Sequence, residues 1–128
     1  MAEQINATVE QINATVKRYV ELVATGKPDD IVALYAEDAV LEDPVGTEQR
    51  RGHDAIREFY KVIENMEQES ELLTLRVTGS RAAFHFSLIT KVGEQKMELS
   101  PIDIMEFDEA GKITSMQAFW GQDDLHLS

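Results

Sequence analysis

The spacing of apolar residues changes from helical to strand-like about halfway along the chain. In the first segment they recur every three or four residues, which predicts an amphipathic helix ending near Gly26. A second helix is predicted after Pro28, capped by Asp29 or Asp30, and a third over residues 53–65. Alternating patterns then predict four strands, centred on residues 73–77, 83–89, 97–107 and 113–120. Helices followed by an antiparallel meander indicate an α+β fold. The apolar stripe of the first helix consists of Ile5, Val9, Ile12, Val16, Tyr19 and Val23.

Composition excludes several classes of partner. The chain has 128 residues, enough for one domain (1–128) with its own core, and 43% of them are apolar. A formal net charge of −12 argues against nucleic acid and anionic membrane surfaces. The absence of cysteine excludes disulfides and thiolate chemistry. Since no signal peptide or membrane-spanning apolar run is recognisable, we expect a cytoplasmic protein.

A carboxyl group interrupts the apolar row of one predicted strand. Alternation places Asp103 on the same face as Met97, Leu99, Met105 and Phe107. Burial there would disfavour the carboxylate and raise the pKa of Asp103. A neutral carboxylic acid can donate a hydrogen bond, so this side chain could hold a developing oxyanion. The alternative is a purely structural aspartate, since the other face of the strand is apolar as well.

A second aspartate, Asp43, ends a short strand and begins a loop. Pro44 favours an extended backbone at Asp43, and Gly46 permits a turn just beyond it. Catalytic side chains are often held in this way, on a loop that a rigid scaffold positions. An ordinary Asp-Pro turn without a chemical role is the alternative.

All three tyrosines fall in apolar stripes of the predicted helices. Tyr19 lies in the first helix, Tyr35 in the second and Tyr60 in the third. A buried phenol needs a hydrogen-bond partner, so the three side chains could form one buried network. Separate core tyrosines bonded to backbone carbonyls are the alternative.

Five short motifs follow one another along the chain: VKRYV at residues 16–20, IVALYA at 31–36, EDPVG at 42–46, IREFY at 56–60 and PID at 101–103. Their order and spacing resemble the bacterial steroid Δ5-isomerases, also called ketosteroid isomerases, of the NTF2-like and SnoaL-like superfamily. The resemblance implies a cone-shaped fold with three N-terminal helices packed in a curved, mostly antiparallel mixed sheet. It also implies a homodimer formed through the outer face of the sheet.

The resemblance implies roles for individual residues. Asp43 falls where the family keeps its general base. Tyr19 and Asp103 fall where it keeps the phenol and the protonated carboxylic acid of its oxyanion hole. Tyr60 matches a tyrosine that hydrogen-bonds the catalytic phenol, and Tyr35 matches a position that is tyrosine or phenylalanine.

The implied reaction converts a Δ5-3-ketosteroid to its conjugated Δ4 isomer through a dienolate. One carboxylate takes a proton and returns it two carbons along, while two neutral donors stabilise the oxyanion. No metal or organic cofactor is required. Because the substrate is flat and apolar, we expect an apolar pocket, in which Trp120 matches an aromatic residue beside the base. The expected walls, which core packing could also explain, are Val20, Val45, Phe59, Phe86, Leu88, Leu99, Met105, Met116, Ala118 and Trp120.

Two other functions stay open, because one fold can host several activities. The first is a sister enzyme, such as an epoxide hydrolase or a polyketide cyclase. An epoxide hydrolase of this type needs an Asp-Arg-Asp group in its cavity, and we expect no arginine there, since Arg76 and Arg81 fall at strand and turn positions. The second is an NTF2-like module that binds small molecules without chemistry.

The heptad EQINATV occurs twice in succession, at residues 3–9 and 10–16. A seven-residue copy keeps an apolar stripe in phase, so the duplication is expected to lengthen the first helix without moving Tyr19. A natural extension and a duplication during cloning both explain the repeat.

Overall fold

The structure is a computed structural model that describes residues 8–128. Within this range the α-helices are α1 (Val9–Thr25), α2 (Pro28–Val32) and α3 (His53–Lys61). Two strands lie between α2 and α3, namely β1 (Tyr35–Glu42) and β2 (Arg50–Arg51). The strands after α3 are β3 (Glu67–Thr78), β4 (Arg81–Val92), β5 (Gln95–Leu99), β6 (Ile102–Phe107), β7 (Ile113–Phe119) and β8 (Leu125–Leu127).

These strands form one sheet in the order β2-β1-β7-β6-β4-β5-β8, with β3 paired to β4. The pair β1–β7 is parallel and the other pairs are antiparallel. α1 packs against β3 and β4, and α3 packs against β1 and β2. Because the helices contact strands far apart in the sheet, the sheet must curve around them. The predicted α+β cone is therefore confirmed. None of the described helices is long and apolar enough to cross a membrane.

The core lies between the apolar face of α1 and the inner face of the sheet. Ile12 and Val16 of α1 are fully buried, as are Met105 of β6 and Met116 of β7, which pair with each other in register. Phe84 of β4 is buried beside them. This packed part of the cone supports the part that contains the polar side chains.

The strand predicted over residues 97–107 is divided in two. β5 ends at Leu99 and β6 begins at Ile102. Pro101, between them, has no N–H for a ladder hydrogen bond, which favours the interruption. β4 pairs with both pieces. The interruption leaves Leu99, Pro101 and Asp103 along one wall of a cavity.

The prediction that Tyr35 lies in the second helix is wrong. α2 stops at Val32, and Tyr35 begins β1, where it pairs with Ile113 of β7. The pairing of two distant segments overrides a helical pattern that is only local. Tyr35 is nevertheless buried, as its apolar surroundings in the sequence indicated.

The predicted helix cap and the predicted end of the third helix are also wrong. The N-cap of α2 is Lys27, without a side-chain hydrogen bond. Asp29 instead accepts a hydrogen bond of 2.7 Å from Arg57, which ties α2 to α3. α3 ends at Lys61 rather than near residue 65, because the following residues form turns.

α1 begins within the duplicated heptads. Thr8 is its N-cap: the Thr8 side chain accepts a hydrogen bond from the Gln11 N–H at 3.0 Å, and the Gln11 side chain accepts one from the Thr8 N–H at 2.8 Å. The copy at residues 10–16 lies inside α1, whereas most of the first copy, including Ile5, lies outside the described residues. Val9, expected in the apolar stripe, is 51% exposed because it is the first residue of the helix.

The repeat supplies a matched pair of substitutions that tests where α1 begins. Thr8→Ala should lower the free energy of unfolding by about 1 kcal/mol, since it removes the N-cap acceptor. Thr15 has the same Asn-Ala-Thr-Val context but lies inside α1, so Thr15→Ala should be neutral or slightly stabilising. Urea unfolding measures both. Equal effects would contradict a helix that begins at Val9.

Candidate active site

The polar side chains that the motifs indicated meet in one cavity of about 340 Å³. Tyr19 of α1, Tyr60 of α3, Asp43 after β1 and Asp103 of β6 all line it. This volume lies within the range of small-molecule sites. The other lining residues, mostly apolar, are Val23, Arg50, Glu58, Phe59, Val62, Ile63, Phe86, Leu88, Leu99, Pro101 and Trp120.

Asp103 is the most deeply buried of these four polar residues. It pairs with Phe84 of β4 and with Ala118 of β7, and its side chain is 1% exposed. Its Oδ1 atom is buried without a hydrogen-bond partner among the described residues. Burial raises the pKa of Asp103 well above its usual range, and the charge of Asp43 raises it further. The site therefore favours the neutral acid, which has a proton to donate to a ligand.

The three tyrosines form a hydrogen-bonded chain that ends at the cavity. The hydroxyls of Tyr35 and Tyr60 are 2.7 Å apart, and those of Tyr60 and Tyr19 are 3.0 Å apart. If Tyr35 donates to Tyr60 and Tyr60 donates to Tyr19, the Tyr19 proton is free for a ligand. Burial raises the pKa of all three phenols, so each stays neutral. Tyr35 itself does not line the cavity.

Asp43 has a different environment from Asp103. It is half-buried, and its Oδ1 atom accepts a hydrogen bond of 2.8 Å from the indole N–H of Trp120. Partial burial raises the pKa of Asp43, whereas the Trp120 hydrogen bond and the positive charge of Arg50 lower it. Asp43 can therefore be a carboxylate under conditions in which Asp103 keeps its proton.

The loop after Asp43 is attached to β7. The Val45 N–H donates to the Ala118 carbonyl at 2.8 Å, and the Gly46 N–H donates to the Glu42 carboxylate at 2.8 Å. Gly46 has a φ of 102°, which favours glycine. These bonds fix the backbone on both sides of Asp43 and hold its carboxylate at the cavity.

Half of the expected apolar walls line the cavity and half do not. Phe59, Phe86, Leu88, Leu99 and Trp120 do. The residues that lie elsewhere are Val20, Val45, Met105, Met116 and Ala118.

The five residues that lie outside the cavity do so for three different reasons. Met105, Met116 and Ala118 continue the inward rows of β6 and β7 beyond the end of the cavity, where core side chains fill the space. Val20 is buried in the core, and its carbonyl accepts a hydrogen bond of 2.6 Å from the Ser70 hydroxyl. Val45 is 40% exposed in the loop after Asp43. Strand alternation identifies a face but not where a cavity ends.

Several lining residues were not singled out from the sequence. Val23 lies one helical turn after Tyr19, and Ile63 lies four residues after Phe59, so helical spacing could have found both. Arg50 had no such signal. The expectation that no arginine would line the cavity is wrong, because β2 carries Arg50 to the cavity mouth.

Comparisons with known proteins define the class of protein. Residues 16–116 match the SnoaL-like domain family, and the chain belongs to this family. A steroid Delta-isomerase of Nocardioides simplex is 48% identical over 110 residues, which cover 86% of this chain and 89% of that protein. The resemblance predicted from the sequence is thus confirmed.

A solved structure shares the fold at lower identity. It is that of SalBIII, an epoxide hydrolase/cyclase-like enzyme described as having a role in pyran ring formation in the polyether salinomycin. It matches with a TM-score of 0.85 and 27% identity, over 93% of this chain and 97% of that chain. The fold alone therefore does not choose between isomerase and sister-enzyme chemistry.

The burial of Asp103 predicts an unusual dependence of stability on pH. Above about pH 4 the unfolded chain loses the Asp103 proton while the folded chain keeps it. The folded state should therefore lose up to about 1.4 kcal/mol per pH unit relative to an Asp103→Asn variant, until the folded pKa is reached. Below about pH 4 the Asp103 carboxyl is protonated in both states, so this pH-dependent difference in the free energy of unfolding should be absent. Denaturant unfolding at several pH values measures it, and a pH-independent difference would mean that folding does not raise the pKa of Asp103.

Proposed function

We propose that this protein is a steroid Δ5-isomerase that moves the double bond of a Δ5-3-ketosteroid into conjugation with its ketone. The chain is an isomerase by its relationship to the steroid Delta-isomerase of Nocardioides simplex. One observation carries the finer proposal. Two aspartates and a phenol line one apolar-walled cavity, and burial raises the pKa of Asp103 far more than the pKa of the half-buried Asp43.

The substrate ketone binds at the end of the cavity where Tyr19 and Asp103 lie. Tyr19 and the neutral Asp103 each donate a hydrogen bond to its oxygen, and the fused rings contact side chains such as Phe86 and Leu99. The pairing of polar groups at the end with apolar walls elsewhere suits a ligand with one oxygen on a flat hydrocarbon frame.

Asp43 transfers the proton. Its carboxylate removes a proton from the carbon between the ketone and the double bond, and the electron pair of that C–H bond moves toward the ketone oxygen. The resulting dienolate then takes the same proton back at the far carbon of the former double bond. Asp43 ends as the carboxylate and the steroid keeps its atoms, so no co-reactant is needed. Positioned proton transfer of this kind contributes about 10²–10⁴-fold.

Tyr19 and Asp103 stabilise the dienolate because both are neutral donors already held in place. Negative charge grows on the ketone oxygen as Asp43 loses its own, and each donor strengthens its hydrogen bond as that charge grows. A donor of this kind typically lowers the barrier by about 2.7–4 kcal/mol. The bond from Tyr60 holds Tyr19 in its donating orientation.

A specific observation keeps epoxide hydrolysis as a second candidate. Arg50 lines the cavity together with Asp43 and Asp103, and these are the residue types that an epoxide hydrolase of this fold needs. Among the described residues, however, Arg50 forms no ion pair or hydrogen bond with either carboxyl group, so the three are not linked. Incubation with an epoxide and mass spectrometry for the added water tests this candidate.

Asp43→Asn tests the isomerase directly. The wild type should convert an unconjugated 5-ene-3-ketosteroid rapidly, which raises the ultraviolet absorbance of the conjugated enone. The variant should lose at least about 10²-fold of this rate, since an amide cannot accept the proton. It should still bind steroid, as measured by fluorescence titration with an equilenin-type ligand.

Asp38→Asn is the matched control, because Asp38 is an exposed aspartate of β1, the strand that Asp43 follows, and does not line the cavity. It should turn over like the wild type. Near-normal turnover by Asp43→Asn would show that the base is another group. Binding without turnover in the wild type would instead favour the binding module.

We further propose that the protein is a homodimer formed through the outer face of its sheet. Ile102 pairs with Phe119 and with His85 across three strands, and Ile102 and Phe119 are 48% and 43% exposed. Leu73 of β3, 46% exposed, lies beside Thr74, which pairs with His85. Apolar side chains on adjacent strands suit a second copy of the same face.

Ile102→Lys should therefore convert the dimer to a monomer, because it places a charge inside the proposed interface. Val92→Lys is the control, since Val92 is 51% exposed at the end of β4, outside this patch. Sedimentation velocity measures both. A wild-type monomer, or an Ile102→Lys dimer as stable as the wild type, would contradict the proposal.

The net charge of −12 supports a function without nucleic acid or anionic membrane partners. A neutral steroid is compatible with it. The cytoplasmic location expected from the sequence stays a prediction.

A further inference from the structure

Arg50 is the only basic side chain among the residues that line the cavity of the described chain. Three carboxyl groups, those of Asp43, Glu58 and Asp103, line the same cavity. Arg50 is itself exposed to solvent, and its charge lowers the pKa of Asp43 less than the Trp120 hydrogen bond does. Arg50 has no role in the proposed reaction steps.

The fold places Arg50 at the same cavity as Asp43. β2 has two residues, and Arg50 pairs with Leu41, two residues before Asp43. The Arg50 guanidinium carbon lies 5.1 Å from the centre of the Phe59 ring, a cation–π contact with α3. Arg50 is thus fixed between β1 and α3. Among the described residues its guanidinium has no ion-pair partner within 4.0 Å.

The groups around Asp43 divide into those that favour its charge and those that oppose it. The Trp120 indole and the Arg50 guanidinium favour the carboxylate, and Arg50 is the one that carries a full charge. Burial opposes it. The other titratable groups that line the cavity with Asp43 are Tyr19, Glu58, Tyr60 and Asp103. Glu42 precedes Asp43 in the sequence.

We propose that Arg50 is a positioning residue whose fixed cation keeps Asp43 as a carboxylate in mildly acidic solution and so sets the acid limit of turnover. The inference rests on the proposed function only in calling Asp43 the base. The Phe59 contact and the β1 pairing hold Arg50 at the cavity that Asp43 lines, and its positive charge supplies the effect.

Removal of this charge should make Asp43 take up its proton at a higher pH. The test measures kcat/KM of each protein below the pH at which its activity is half-lost in acid, and divides it by the value of the same protein at pH 8. This ratio should be about two- to five-fold lower in Arg50→Gln than in the wild type. The shift should shrink in 1 M salt, because salt screens charges at an exposed cavity mouth. Loss of a merely structural contact would lower the rate equally at every pH.

The decisive measurement needs no turnover. Titration of the Asp43 carboxyl by ¹³C NMR, without steroid, gives its midpoint in the wild type and in each variant. Arg50→Gln should raise the midpoint, and Arg50→Lys should restore much of the difference because it keeps the charge. Arg51→Gln is the matched control: Arg51 is the next residue of β2, pairs with Val40 and does not line the cavity, so its loss should leave the midpoint unchanged.

Two results would overturn the proposal. One is an Asp43 midpoint that is the same in Arg50→Gln as in the wild type. The other is an equal shift in Arg50→Gln and Arg51→Gln, which would mean that any nearby charge has the same effect. Failure of steroid turnover in the wild type would instead refute the proposed function and leave the NMR result intact.

Discussion

The site depends on the exclusion of water from the Asp103 carboxyl group. β6 carries Asp103 into the cone between Phe84 of β4 and Ala118 of β7, where Oδ1 has no hydrogen-bond partner from residues 8–128. The cost of burying a carboxylate charge keeps the proton on the acid. Burial, reinforced by the negative charge of Asp43, therefore makes Asp103 a hydrogen-bond donor. The same apolar surroundings keep the Tyr19 phenol neutral, so two donors share one cause.

β7 contacts the segments that carry both aspartates of the proposed reaction. Its pairing with β6 places Ala118 beside Asp103, and the Ala118 carbonyl holds the loop that carries Asp43 through the Val45 N–H. Trp120, just after β7, donates to Asp43. The parallel pairing of β1 with β7 brings the two aspartates into one cavity although 60 residues of chain separate them. A shift in the register of β7 would therefore disturb both groups together.

The sequence predicted most of what depends on local pattern. The amphipathic stripe of α1, the turn after Asp43 and the inward direction of Asp103 are set by residues close in the chain, and the structure has all three. Tyr35 was misplaced in a helix because its strand exists only through pairing with β7. Arg50 was missed because β2 is two residues long and has no pattern of its own. The extent of the cavity depends on packing between elements that are distant in the sequence. The alternation of apolar and polar residues along a strand carries no information about that packing.

The environment of Asp103 also bears on which reaction the cavity suits. Opening an epoxide requires an acid to give up its proton and recover it in every turnover, so Asp103 would have to become a buried carboxylate. Its surroundings, and the charge of Asp43, oppose that form. Isomerisation does not require Asp103 to ionise, because its proton stays in place while the hydrogen bond to the oxyanion strengthens. Only Asp43 changes its protonation state, and the half-buried loop beside Trp120 and Arg50 permits both of its forms. The physical contrast between the two aspartates therefore favours isomerisation over hydrolysis.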